Sequence, residues 1–249
     1  MRTELRQSKA NLRSMQLNCE ELSIISLNCN GGVIQEAAMA RPQTDIEAGR
    51  EQLLDAVEDL IRQRGAVDIS LVELASVVGM SASNIYRFFE SKEDLYSAVP
   101  KRWFAQKIAI MEGLIGLHLS QRDKMFEFFA RRFVSMMASF EAEPELFNSY
   151  MELGRQHLDV VRGYIDLGDH YLAILVVEAM EMGYFPGLNI DRVVSLINQM
   201  VVPYCNPDVS IMLMPKLNVE KLGQIIDAVF AGLGQFAKQR ESVVLNILE

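Results

Sequence analysis

Between Gly65 and Leu95 the chain sets three helix starts and a glycine break so close together that only short helices fit between them. Ser70-Leu-Val-Glu73 reads as a capping box, in which a serine oxygen and an acid three residues on satisfy orphan backbone donors. It opens a short helix with Leu71, Leu74, Ala75 and Val78 on its inner face. Gly79 breaks that helix, and after a turn of about three residues Ser81 is placed to cap the next. Ile85 and Phe89 form the inward pair of this third helix. Ser91-Lys-Glu-Asp94 repeats the capping pattern and opens a fourth helix through Leu95, Val99 and Trp103. Upstream, Leu53, Val57, Leu60 and Ile61 fall on one helical face, and that helix stops at Gly65 with Arg62 and Arg64 in its last turn. Pro100 lacks a backbone donor, so the fourth helix is expected to kink or end there.

Two short helices joined by a glycine turn and buttressed by a preceding helix make a helix-turn-helix. Its second helix must present small polar groups to the major groove. Ser81, Ala82, Ser83 and Asn84 do so: asparagine can pair with adenine, and hydroxyls or alanine methyls suit thymine.

The rest of the chain predicts long helices near 121–141, 144–156, 160–182, 190–204 and 218–239, broken at 183–189 and again between Pro203 and Pro215. Val209 to Met214 is the one strand candidate, so the fold class is all-α. Residues 1–45 sustain no helical period and read as a disordered or non-native N-terminal extension, with Met39 as a candidate true start. Residues 46–107 are expected to form the DNA-binding domain, and residues 108–249 a helical bundle for ligand binding and dimerisation.

Half of the 249 residues are hydrophobic, but no apolar run is long enough to span a bilayer, which predicts a soluble, cytoplasmic chain without membrane contact. Cys19, Cys29 and Cys205 are scattered, as in a reducing compartment. The three histidines show no zinc spacing, so no metal or cofactor is expected. No nucleophile–base pair or phosphate-binding glycine loop suggests an enzyme. The net charge of −9 opposes DNA binding unless charge is segregated. Glu51, Asp55, Glu58 and Asp59 fall on the first helix, whereas Arg41, Arg87 and Lys92 lie in the arm or beside the reading helix.

The ordered set Ser70-Leu71, Leu74-Ala75, Gly79-Met80-Ser81, Ile85-Tyr86, Phe88-Phe89 and Ser91-Lys-Glu-Asp-Leu95 resembles the DNA-binding domain of the TetR/AcrR family of repressors. The resemblance implies that Ser70 touches phosphate, that Tyr86 contacts backbone or a base, and that Lys92 meets phosphate at a helix start. One position departs from the pattern. Phe88 stands where the family has Tyr or His and cannot donate to phosphate; either Arg87 substitutes or Phe88 packs. Ser70, Ser81, Ala82, Ser83, Asn84, Tyr86, Arg87 and Lys92 are therefore the candidate DNA contacts. Ser70 and Ser81 are expected to act as caps as well.

Relatives in this family sense small molecules with the C-terminal part and dimerise through their last long helices. Fourteen Met and twelve Phe suit an adaptable apolar pocket, for which Phe129, Phe133, Met136, Tyr150, His157, His170 and Tyr171 are the candidate lining. Val193, Leu196, Ile197 and Met200, with Leu222, Ile225, Ile226, Val229, Phe230 and Leu233, are the candidate homodimer surface. Gly223, Ala228, Gly232 and Gly234 would allow close helix approach there. The implied function is a repressor released from a palindromic operator on double-stranded DNA by a small apolar effector. The alternative is a dimeric helical adaptor or sensor with weakened DNA binding.

Overall fold

The computed structural model describes residues 43–233. The expectations for the N-terminal extension and Met39, and for the end of the last helix beyond residue 233, lie outside the described residues. The described chain runs α1 (Gln43–Arg64), α2 (Leu71–Val77), α3 (Ala82–Ile85), α4 (Lys92–Ile115), α5 (Gln121–Ala142), α6 (Pro144–Gln156), α7 (Leu158–Glu181), α8 (Ile190–Cys205), α9 (Pro207–Met212), a 3-10 turn (Met214–Lys216) and α10 (Val219–Gly232). Among the described residues no strand forms. No described helix is long and apolar enough to cross a membrane.

Local chemistry sets the boundaries. Gly65 and Gly79 take positive φ values of 65° and 69°, where a side chain would be strained, and each closes a helix. Ser70 Oγ accepts from Glu73 N and Ser91 Oγ from Asp94 N, so both predicted caps form. The reciprocal half of the first box is diverted: the Glu73 carboxylate pairs with Arg64 instead. Ser81 occupies the cap position of α3 without a side-chain cap bond; its hydroxyl lies 3.0 Å from that of Ser83.

One expectation is corrected and another is narrowed. Val209–Met214 is not a strand: Asn206 accepts from Val209 N at 3.2 Å, and Pro207 at the first helical position starts α9 over most of it. Of the two outcomes expected at Pro100, a kink or an end, the end does not occur: α4 continues to Ile115. Burial of its flanks, Val99, Trp103 and Phe104, holds the helix together across the missing donor.

One continuous apolar core joins head and body. Leu53, Val57, Ile61, Leu74, Ile85, Phe89, Leu95 and Val99 are buried in the head. In the body, α4 packs on α5, α6 and α7, while α10 lies on α5 and α8. Lys124 is buried but fully engaged, donating to Glu178 Oε2 at 2.8 Å and to Ile115 O at 3.3 Å, which ties α5 to α7 and to the end of α4.

Candidate DNA-reading face and effector cavity

The head leaves most of the predicted contacts accessible. Ser70, Ser81, Ser83, Tyr86, Arg87 and Lys92 are exposed, and Ala82 and Asn84 are half-buried. Tyr86 does not fill space between helices; its side chain is 53 % exposed. Arg87 Nη1 donates to Asn84 Oδ1 at 3.2 Å. An adenine contact through both side-chain atoms of Asn84 therefore requires Arg87 to let go. Lys92, in the first turn of α4, sits 3.9 Å from Asp68 and over the Tyr96 ring. The Tyr96 hydroxyl bonds to Ile69 O and accepts from Ile69 N, fixing the loop before α2 against α4. Burial pushes its pKa above the ordinary phenol value.

Phe88 packs. Its ring is half-buried against Gly49 of α1, and a Cβ there would lie only 2.8 Å from ring atoms Cδ1 and Cζ. Neighbouring Arg50 donates to the Phe88 carbonyl at 2.5 Å and places its guanidinium 4.2 Å from the Phe89 ring centroid. Gly49 and Arg50 were not singled out from the sequence. The signal was a glycine–arginine pair interrupting the helix that buttresses an aromatic turn.

The acidic face of α1 is largely neutralised within the fold. Arg102 of α4 meets Asp55 at 2.5 Å, Glu51 at 3.5 Å and Glu58 at 3.9 Å. Arg62 meets Asp59 at 2.7 Å and reaches across to Glu143 of the body at 2.6 Å. Of the candidate DNA contacts, Arg87 bonds to the neutral Asn84 side chain, and exposed Lys92 lies 3.9 Å from Asp68.

A cavity of about 810 Å3 lies between α4, α5, α6, α7, α8 and the start of α9. Its volume falls within the range of small-molecule sites, roughly 300–1,000 Å3. Of the candidate lining residues, Met136 and Tyr150 face it. Phe129 and Phe133 are buried in the core, with Phe133 edge-on to cavity-lining Tyr204 at 5.1 Å, one layer behind the wall. His157 is buried at the junction of α6 and α7, and its backbone N–H donates to Leu153 O. His170 is half-buried, which lowers its pKa, and Tyr171 donates to Glu112 at 2.8 Å. None of these last five residues lines the cavity.

The wall contains aromatic and charged groups that the sequence reading passed over. Trp103 stacks on Tyr150, and Phe104 on Tyr164, with centroids 5.7 Å and 4.2 Å apart. Burial, and after it the nearby Glu58 carboxylate, pushes the Tyr150 hydroxyl well above its usual pKa. Burial also raises Tyr164, opposed by the Arg132 guanidinium. Lys107 is 3 % exposed, with Nζ 3.6 Å from the Trp103 ring centroid. The clue was its register: Trp103, Lys107 and Met111 recur every four residues on the buried side of α4.

The residues proposed as a dimer surface are mostly consumed within the protomer. Val193, Ile197, Leu222, Ile226, Val229 and Leu233 are buried in the core, and Leu196, Ile225 and Phe230 are half-buried, leaving Met200 exposed. Gly223 gives close approach to Phe126 and Arg122 of α5.

Residues 53–99 match the model described as bacterial regulatory proteins of the tetR family, and residues 122–226 the tetracyclin repressor-like C-terminal domain. The chain belongs to the TetR family of transcriptional regulators. Two uncharacterized HTH-type transcriptional regulators of Mycobacterium tuberculosis are 38 % identical to this TetR-family chain over 56 residues, 22 % of this chain and only 28 % of their own length. The fold is that of a putative transcriptional regulator from Pseudomonas aeruginosa (TM-score 0.57, 15 % identity, 83 % of this chain and 99 % of that one). It is shared by SmeT, the repressor of a Stenotrophomonas maltophilia multidrug efflux pump (0.56, 15 %, 75 % and 91 %). FadR from Bacillus subtilis, solved in complex with stearoyl-CoA, also has this fold (0.50, 20 %, 73 % and 98 %).

Proposed function

We propose that this TetR-family regulator is a homodimeric repressor that leaves a palindromic operator when an apolar effector enters the cavity. The observation that carries this reading is the span of α4. Its first residue, Lys92, is an exposed candidate DNA contact, and Trp103, Phe104 and Lys107 of the same helix line the cavity. At a rise of about 1.5 Å per residue, Lys107 lies about 22 Å along the helix from Lys92. An effector that shifts α4 at the cavity would reposition the head relative to its two-fold mate and disfavour the spacing that fits two half-sites. Pro100 sits between the two ends, where α4 lacks one backbone bond. FadR, which shares this fold, was solved in complex with stearoyl-CoA, a molecule with a long apolar chain, and this supports an effector with an apolar body.

The test is a mobility-shift assay with DNA from upstream of the protein's own gene, across a range of salt. Retardation that weakens steeply with salt is expected, with a log–log slope reduced by about one unit in Lys92→Ala if that residue neutralises one phosphate. A chain that retards no DNA at low salt would be a dimeric adaptor instead. A monomer by light scattering at micromolar concentration would remove the palindrome.

A further inference from the structure

The effector cavity contains a charge problem. Lys107 Nζ is buried and has no hydrogen-bond partner among the described residues, and the same holds for Arg132 Nε. Both side chains line the cavity. Each cation rests on aromatic faces: Lys107 on Trp103 at 3.6 Å, and Arg132 between Phe128 at 4.9 Å and Tyr164 at 5.7 Å. An aromatic face attracts a cation weakly and supplies no acceptor to Lys107 Nζ or Arg132 Nε.

A buried cation without an anion is costly, and the half-buried Arg132 guanidinium beside Lys107 adds repulsion. The fold shows its ordinary solution elsewhere: buried Lys124 holds Glu178 and a backbone carbonyl. The acids that line the cavity serve other partners or lie at its surface. Asp169 accepts from Asn198 at 2.7 Å, exposed Asp208 lies 3.4 Å from Arg155, and Asp191 is exposed in the first turn of α8. The rest of the wall is largely apolar, including Met136, Val161, Ala173 and Val194.

We propose that the effector is a hydrophobic carboxylate whose anionic head lies between Lys107 and Arg132 and whose body fills the apolar part of the cavity. This deepens the ligand-responsive reading and rests on it for the consequence, though not for the binding. The carboxylate supplies acceptors for Lys107 Nζ and Arg132 Nε, and desolvation strengthens those bonds. An uncharged molecule of the same shape would bury both cations more deeply without pairing them, so the site discriminates by charge and not only by size.

Trp103 is the single tryptophan of the chain and a wall residue, so its fluorescence reports occupancy. The full chain is titrated with dodecanoate and with adamantane-1-carboxylate, each against its matched alcohol (1-dodecanol and 1-adamantanemethanol), below micellar concentrations and with calorimetry alongside. At least one acid is expected to bind ten-fold or more tightly than its alcohol and to change Trp103 emission. The preference should fall below three-fold in Lys107→Met and persist in Lys107→Arg. If Lys107→Met does not fold, Arg132→Met carries the same expectation. Equal binding of acid and alcohol, binding of neither, or an acid preference that survives loss of the cation overturns the proposal. The mobility shift on the same preparation separates the two readings. A chain that retards DNA but shows no acid preference keeps the regulator and loses the carboxylate; one that binds acid but no DNA does the reverse.

Discussion

Gly49 and Phe88 share one volume: the half-buried ring lies where a side chain at position 49 would begin, with Cδ1 and Cζ 2.8 Å from the Cβ site. Helix propensity alone favours alanine over glycine in mid-helix by about 1 kcal/mol. Here the overlap should reverse the sign. Gly49→Ala is expected to destabilise the chain by about 1–3 kcal/mol through overpacking, and to weaken DNA retardation by displacing the turn that carries Tyr86 and Arg87. Adding Phe88→Ala removes the ring, so the double variant should be less destabilised than the sum of the singles by about 0.5 kcal/mol or more. Denaturant unfolding of the four chains measures this; strict additivity would mean that the two positions do not press on one another.

Lys107 makes stability depend on alkaline pH. Burial, and after it repulsion from Arg132, lowers its pKa from the ordinary 10.5 to about 8. The folded state therefore releases this proton more readily than the unfolded chain. The penalty is fully present below pH 8 and is relieved as pH rises from about 8 towards 10.5. The shift corresponds to about 3 kcal/mol. The other charged groups that line the cavity are Arg132, Arg155, Asp169, Asp191 and Asp208. Ligand-free Lys107→Met should be more stable than the parent at pH 7, by up to about 3 kcal/mol. It should also lack the rise between pH 8 and 10.5 in a series of urea melts. A parent chain whose melts show no difference from the variant over that interval would place the ammonium in water.

Tyr150 joins the cavity to the head. It lines the wall and stacks on Trp103, and its hydroxyl feels Glu58, a buried acid of α1 that also meets Arg62 and Arg102. Tyr150→Phe keeps the ring and removes the polar link. It is expected to leave effector affinity within about three-fold while at least halving the effector-induced loss of DNA binding, since coupling depends on differential contacts in the two states. Affinity by Trp103 fluorescence and release by mobility shift are read on the same sample. An unchanged release curve would show that coupling bypasses this hydroxyl.

The legible parts were those written in local chemistry. Ser70 with Glu73, Ser91 with Asp94, Gly65 and Gly79 mark helix ends through bonds and φ values spanning a few residues, so the head could be read from its own segment. The long helices after residue 121 followed from their 3.6-residue period. Val209–Met214 misled because its apolar run outweighed the Asn206-Pro207 start just before it. His157, His170 and Tyr171 were chosen for polarity near an apolar stripe, but polarity does not tell which face of a helix meets an empty space.

The sequence by itself determined that this chain is helical, that it begins its described part with a helix-turn-helix, and where most helices start and stop, because caps, glycines and apolar periods act over a turn or two. Only the tertiary structure decided what Phe88 does, since its answer lies 39 positions upstream in Gly49. Tertiary structure also made Lys107 more than a charge on a helix. Six helices must pack before the cavity exists, and only then are Lys107 Nζ and Arg132 Nε set in its wall without a hydrogen-bond partner among the described residues.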